Sequence, residues 1–302
     1  MIAVDVMGGD HAPEVVLQGA LAAAKKSVPV TLYGPQAMIY QWLGVHAPEW
    51  NNFAISVVDA SDIIAMDEEP VFAVRKKPAS SLVKAVASVA QHQNAAVLSA
   101  GNSGALMAAA ALVIGRAEGV ERPAIAGFLP TVQGSVLALD LGANTECKPV
   151  HLQTFARLGS DYVARTLGIS QPRVGLLSNG HEEGKGSLLV KETYALLKQD
   201  TLNFIGNVEP YDIFNHKADV VVCDGFSGNV LLKTVEAVTE MVAGLIDPSQ
   251  AKKVSDHLAS GQLSGALLLG VNQPVIVCHG SASARAIEEA IFYAWHISGK
   301  KG

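Results

Sequence analysis

Aromatic side chains are scarce in this chain, at 6% of its 302 residues. Its core must therefore be built from small and aliphatic side chains, as close packing of helices on sheets requires. Positive charge is also in short supply, with 22 Lys and Arg against 28 Asp and Glu and a net charge of -6. That balance argues against a nucleic-acid binder, whose affinity for phosphate backbones needs clustered cations. Only three cysteines are present, Cys147, Cys223 and Cys278. They form no Cys-x-x-Cys pair, and the odd count suits a reducing compartment better than a disulfide framework. Histidines are not spaced as metal ligands, so no metal is expected. No Gly-x-Gly-x-x-Gly follows a strand, which lowers the odds of a dinucleotide site. The longest apolar stretch, Ala105 to Gly115, is far short of the roughly 20 residues that span a bilayer. No basic, apolar leader stands ahead of the first strand at Ile2, so the expectation is a soluble cytoplasmic protein.

What the chain does have is one recurring phrase: an apolar run, a turn of small or polar residues, then a helical pattern. It occurs at Ile2–Val6 before Met7–Pro13, at Ala96–Leu98 before Ser99–Gly104, and at Val174–Leu177 before Ser178–Gly186. Two further copies are Val220–Cys223 before Asp224–Asn229, and Val275–Cys278 before His279–Ser283. A continuous β-branched run reads as a buried parallel strand. The expected fold is therefore α/β, a three-layer α/β/α arrangement with a mainly parallel, doubly wound sheet. Val30–Tyr33 and Ile55–Val58 read as further strands, and 124–129 with 136–140 as an antiparallel hairpin. Helices are expected from Pro13 to about Lys26, over Ala105–Ile114, Glu192–Lys198 and Val230–Ile246, and over Ala284–Trp295. With no low-complexity linker, residues 1–302 read as one domain. A short helix between loops is expected at about 247–265.

Ligands of open α/β sheets lie at the C-terminal ends of the strands, where helix N-termini present unpaired N–H groups. Five such turns point to an anion site and hence to an enzyme. Gly180–Ser187 is not a nucleotide P-loop, which needs four residues before its Gly-Lys pair where this chain has three. Lys185 still offers a point charge, with Gly184 and Gly186 permitting close backbone approach. Asp10 has the position of a helix cap. His11 and His279 stand at helix starts, and His11 could move a proton near neutral pH. Asn102, Ser103, Asn144 and Asn229 are uncharged donors at strand ends. Cys223 and Cys278 read as buried small hydrophobes, whereas Cys147 beside Lys148 could be a nucleophile of lowered pKa. Arg75-Lys76-Lys77 reads either as a solvated loop or as a docking patch.

Val4–Pro13, Ser99–Ala105, Leu141–Asn144, Glu182–Gly186 and Cys223–Asn229, with Glu121-Arg122-Pro123 and His279-Gly280-Ser281, resemble the PlsX family of bacterial phosphate acyltransferases. The likeness runs from Ile2 to about Trp295. It implies a fold related to phosphotransacetylases and isocitrate-type dehydrogenases, no organic cofactor, and a homodimer. It further implies transfer of a long-chain acyl group from acyl carrier protein to inorganic phosphate. The acyl phosphate would then pass to a glycerol-3-phosphate acyltransferase in phospholipid synthesis. The chain departs from the family where a longer helical hairpin usually follows the Val230–Ile246 segment. The peripheral membrane contact associated with that hairpin is left open here. A second departure is Pro78-Ala79-Ser80-Ser81 after the basic cluster, where an acidic residue or Gly commonly precedes Ser-Ser.

Phosphate is already a competent nucleophile, so the protein's expected tasks are to orient it, stabilise an oxyanion and protonate the leaving thiol. Gly101, Ser103, Gly104, Gly184, Lys185, Gly186, His279, Gly280, Ser281 and Ser283 are assigned to phosphate. His11 is the expected proton donor, and Asn102 or Asn229 the oxyanion donor. Asp10, Asn144 and Asp224 are expected as caps or support, and Arg75, Lys76 and Lys77 as the carrier-docking patch. Two rivals are a metal- and NAD-dependent dehydrogenase of related fold and an inactive PlsX-like scaffold.

Overall fold

The computed structural model describes residues 1–247, 250 and 265–299. The helix expected within 247–265 falls, but for its edges, outside the described residues. The chain's contacts divide it into two compact units.

The first unit holds Met1–Glu118 together with the C-terminal strands and helix. Its strands are β1 (Ile2–Asp5), β2 (Val30–Gly34), β3 (Ile55–Asp59), β4 (Ala96–Ser99), β10 (Ala266–Leu269) and β11 (Val275–Val277). Its helices are α1 (Glu14–Lys25), α2 (Gln36–His46), α3 (Pro70–Lys76), α4 (Ser81–Ala90), α5 (Ser103–Ala109) and α10 (Ala284–Ile297). The parallel order is β3-β2-β1-β4-β11, with β10 antiparallel to β11. β1 sits centrally because it is apolar on both faces, and it pairs Ile2 with Val30 on one side and with Ala96 on the other. The chain winds outward through β2 and β3, then returns to the opposite side of β1 as β4. That reversal opens a crevice beyond the ends of β1 and β4. α10 turns a helical stripe of Ile287, Ala290, Ile291 and Ala294 inward, as its 3.6-residue period requires. The helix expected over 105–114 is α5 continued by one π-helical stretch, Ala110–Ile114.

The second unit runs from Gly119 through the helix ending at Leu245. It contains β5 (Ala124–Thr131), β6 (Gly134–Leu139), β7 (Val174–Leu177), β8 (Phe204–Val208) and β9 (Val220–Val222). Its helices are α6 (Pro149–Leu167), α7 (Leu188–Lys198), α8 (Pro210–Phe214) and α9 (Gly225–Leu245). β5 and β6 form the expected hairpin, with Phe128 opposite Leu137. From β6 the strands run parallel in the order β6-β9-β7-β8. The chain steps from β7 out to β8 and comes back as β9, so the switch point lies between β7 and β9. α6 buries Leu152, Phe155, Ala156 and Val163. The mainly parallel α/β architecture agrees with the sequence reading. No helix among the described residues is long and apolar enough to cross a membrane.

Candidate active site

In the first unit, the turns leaving β1, β4 and β11 meet. Asp5, buried at the end of β1, accepts from Ser99 Oγ at 2.7 Å, and Ser99 Oγ in turn accepts from the Gly101 N–H at 3.0 Å. Burial pushes the Asp5 carboxyl upward, against hydrogen bonds that pull it down. Gly8 lies against Gly101, and the Asp10 N–H donates to Gly280 O at 2.8 Å. His11 is exposed at the end of this cluster. Asp10, Gly101 and Gly280 are thus brought together, while several expected ligand donors prove to be occupied. Asn102 caps α5 through Oδ1, and its Nδ2 donates to the carbonyls of Ala65, Met66 and Glu68 at 3.0–3.3 Å. An amide so spent has no proton left for an oxyanion. Ser103 and Gly104 form the first turn of α5, and Gly104 lies against Pro70, where a Cβ would sit 2.6 Å from its ring. The Ser281 N–H donates to His279 Nδ1 at 3.2 Å, and Ser281 Oγ lies 2.8 Å from the same nitrogen. Ser283 caps α10 by accepting from the Ala286 N–H.

In the second unit, the turns after β6, β7 and β9 meet. The buried Asp140 carboxylate accepts from the N–H groups of Ile125, Gly142, Ala143 and Asn144 at 2.7–3.2 Å, and from Asn144 Nδ2 at 2.9 Å. Asn144 Nδ2 also reaches Pro123 O. Asp224 caps α9, taking the Ser227 N–H at 2.9 Å and the Ser227 hydroxyl at 2.8 Å. Asp140, Asn144 and Asp224 therefore build the turns. The fit is tight: a Cβ on Gly228 would lie 1.9 Å from Asp140 O. Asn229, half-buried, lies over Gly142.

The β7 turn is anchored differently. The Gly186 N–H donates to Asn179 Oδ1 at 2.9 Å, and Asn207 Nδ2 donates to Glu182 O. His181 Nε2 stands 2.5 Å from Asp212 Oδ2, and Lys217 pairs with the same carboxylate. Burial raises the Asp212 pKa, but Lys217, the Glu209 N–H and His181 outweigh it and hold the group at about 2. Gly184 and Lys185 are left exposed. Ser178, at the base of this turn, is 9% exposed, and its Oγ has no hydrogen-bond partner. Ser178, Asn179, Gly186, Asp224 and Ser227 share one cavity of about 1010 Å³.

Two further expectations are corrected. Cys147 is no activated nucleophile: burial, with the Asp140 charge next, pushes its thiol up to about 11. Lys77 is not free for docking, because its Nζ donates to Ile63 O at 2.8 Å and to Glu68 at 2.6 Å. Arg75 and Lys76 remain exposed, with Lys76 5.1 Å above the Phe72 ring. Sequence reasoning passed over Asp5, Ser99, Asp140 and the His181–Asp212 pair. An Asp closing an otherwise apolar strand, as in Asp5 and Asp140, was the available signal.

The chain matches, over residues 1–301, the family described as "Fatty acid synthesis protein". A protein of Oceanobacillus iheyensis named "Phosphate acyltransferase" is 44% identical over 98% of this chain and 93% of its own length. One of the same name from Geotalea uraniireducens is 44% identical, covering 100% of this chain and 91% of its own. The fold resembles the EutD phosphotransacetylase of Staphylococcus aureus, with a TM-score of 0.66 at 16% identity, covering 98% and 93% of the two chains. With that identity over nearly its whole length, the chain belongs to the PlsX family of phosphate acyltransferases.

Proposed function

We propose that this protein transfers a fatty acyl group from the thioester of acyl carrier protein to inorganic phosphate, making an acyl phosphate for phospholipid synthesis. One observation carries the reading. At the β7/β9 switch point, the unpartnered, buried hydroxyl of Ser178 shares a crevice with the first turn of α9, and the exposed Lys185 immediately precedes Gly186, which also lines it. The α9 dipole adds partial positive charge there, while the Gly225, Ser227 and Gly228 N–H groups are already taken by Asn144 O, Asp224 Oδ1 and Asp224 O. The relatives' name supplies phosphate as the acceptor.

Hydrogen phosphate attacks the thioester carbonyl carbon, a C–O bond forms, and the C–S bond breaks. The proton of hydrogen phosphate ends on the departing sulfur, so the products are acyl phosphate and free carrier thiol. Lys185 supplies the point charge for phosphate. With Asn102 committed elsewhere, Asn229 is the side-chain amide assigned to the oxyanion, a contribution of about 2.7–4 kcal/mol.

The test mixes the protein with acyl-carrier thioester, with and without phosphate. Thiol release should require phosphate and yield a product that hydroxylamine traps. Lys185→Ala should raise KM for phosphate well above its effect on the thioester. Release that is indifferent to phosphate would make the protein a thioesterase and end the proposal.

A further inference from the structure

We infer that Arg122 binds the phosphodiester of the carrier's pantetheine arm, and so makes the second unit selective for acyl groups presented on that arm. This rests on the acyl-transfer reading above. Glu121-Arg122-Pro123 leads into β5. Because β5 runs antiparallel to β6, its beginning lies at the same edge of the sheet as the ends of β6, β9 and β7. The flanks of Arg122 are fixed. Pro123 O accepts from Asn144 Nδ2 at 2.8 Å, and the Ile125 N–H donates to the buried Asp140 at 3.0 Å. Glu121 meets Nε2 of the buried His151 at 3.0 Å. The proline that follows confines the Arg122 backbone to extended conformations.

The Arg122 side chain is left over. It is exposed, and its Nη1 donates to Glu146 O at 3.3 Å. Among the described residues no carboxylate pairs with it. Burial and the Asp140 charge raise the Cys147 thiol, and Arg122 is the cation acting against them. The guanidinium therefore lies over the loop between β6 and α6. An arginine held on a rigid strand entry, with donors to spare, suits a phosphate group gripped by two parallel hydrogen bonds.

The span across the sheet matches the arm. Ala126, Leu139, Val222 and Leu176 are successive neighbours in one row through β5, β6, β9 and β7. Three strand spacings, about 14 Å, separate the ends of that row. Arg122 stands beyond one end and Lys185 beyond the other. In phosphopantetheine about thirteen bonds join phosphorus to sulfur, roughly 16 Å when extended at 1.2 Å per bond. An arm gripped at Arg122 therefore reaches the strand ends where Asn229 lies over Gly142 and delivers its thioester toward Lys185.

Acyl 4′-phosphopantetheine and acyl pantetheine carry the same thioester and differ only in the phosphate, which stands in for the carrier's phosphodiester. In phosphate-dependent thiol release, wild-type kcat/KM should favour the phosphorylated thioester by about tenfold to a hundredfold, the range of a charge-assisted contact. Arg122→Gln should erase that preference without raising KM for inorganic phosphate. Arg122→Lys keeps the charge and loses the fork, so it should fall between the two. Equal losses on both thioesters would make Arg122 an anchor of the Glu146 loop. A raised KM for inorganic phosphate would make it part of the acceptor site. Either result overturns the inference, as does a wild type indifferent to the phosphate on the thioester.

Calorimetry with 4′-phosphopantetheine and pantetheine reads binding without turnover. The wild type should hold the first at least about tenfold more tightly, and Arg122→Gln should bind both alike. Equal binding by the wild type overturns the inference. A wild-type protein that releases thiol from no thioester defeats the transfer reaction alone, and the calorimetry still decides whether Arg122 holds the arm.

Discussion

Replacing Asp212 by Asn removes one buried charge from the foot of the β7 turn. The residue is 1% exposed, accepts from the Glu209 N–H at 3.1 Å, and engages His181 and Lys217. Its pKa lies at about 2, against 3.8 ordinarily. A carboxyl depressed by folding contributes stability that is fully present above the unfolded pKa. That stability is lost as pH falls toward the folded value. The drop would correspond to about 2.4 kcal/mol at 1.36 kcal/mol per unit. His181 and Lys217 are each 56% exposed, and solvent screening reduces this to about 1–2 kcal/mol. Urea unfolding at pH 5 should therefore show Asp212→Asn less stable by that amount. By pH 3 about half of the difference should have disappeared. A gap that stays constant or widens between pH 5 and pH 3 would show that the charge does not hold the turn. Because the same carboxylate anchors the segment bearing Lys185, KM for phosphate should rise in the variant at neutral pH.

Gly228→Ala drives a Cβ into the Asp140 carbonyl, a backbone atom with nowhere to retreat. It should cost more than about 3 kcal/mol, read as a large drop in melting temperature. Gly184→Ala, with nothing within 4 Å, should change stability by less than about 0.5 kcal/mol. Neutralising Arg75 and Lys76 should raise KM for acyl carrier protein at low salt and less so at high salt, whereas Lys77→Ala should act mainly on stability by releasing the Ile63–Glu68 loop. Cys147→Ser should leave turnover intact, and the wild-type thiol should react sluggishly with disulfide reagents at pH 8, being titrated only near 11. His11→Ala tests the expectation that this imidazole relays the proton to the departing thiol: turnover should fall about a hundredfold or more with little change in KM for phosphate, and the reverse pattern removes it from that role.

The strands carrying these turns were readable because a parallel strand covered on both faces has to be apolar throughout, and the turn that follows has to be small. β8 was not, because Phe204-Ile205-Gly206-Asn207-Val208 is an edge strand interrupted by glycine, with Ile205 39% exposed. β10 was missed because its partner β11 supplies the reason for it, and four apolar residues alone do not choose between strand and helix. At the site, sequence gave position without occupancy. Asn102, Ser283 and Asp224 stand where a ligand could be met, yet each is consumed in holding a helix end. The same tight turns need acceptors beneath them, and Asp5 and Asp140 fill that need with oxygens the sequence shows only as acids ending a strand. Buried N–H and C=O groups must find partners, and these side chains supply them. A donor already satisfied within the protein has nothing to offer a transition state, so in the second unit the proposed reaction is left to the groups the fold does not consume: Lys185, Asn229 and the hydroxyl of Ser178.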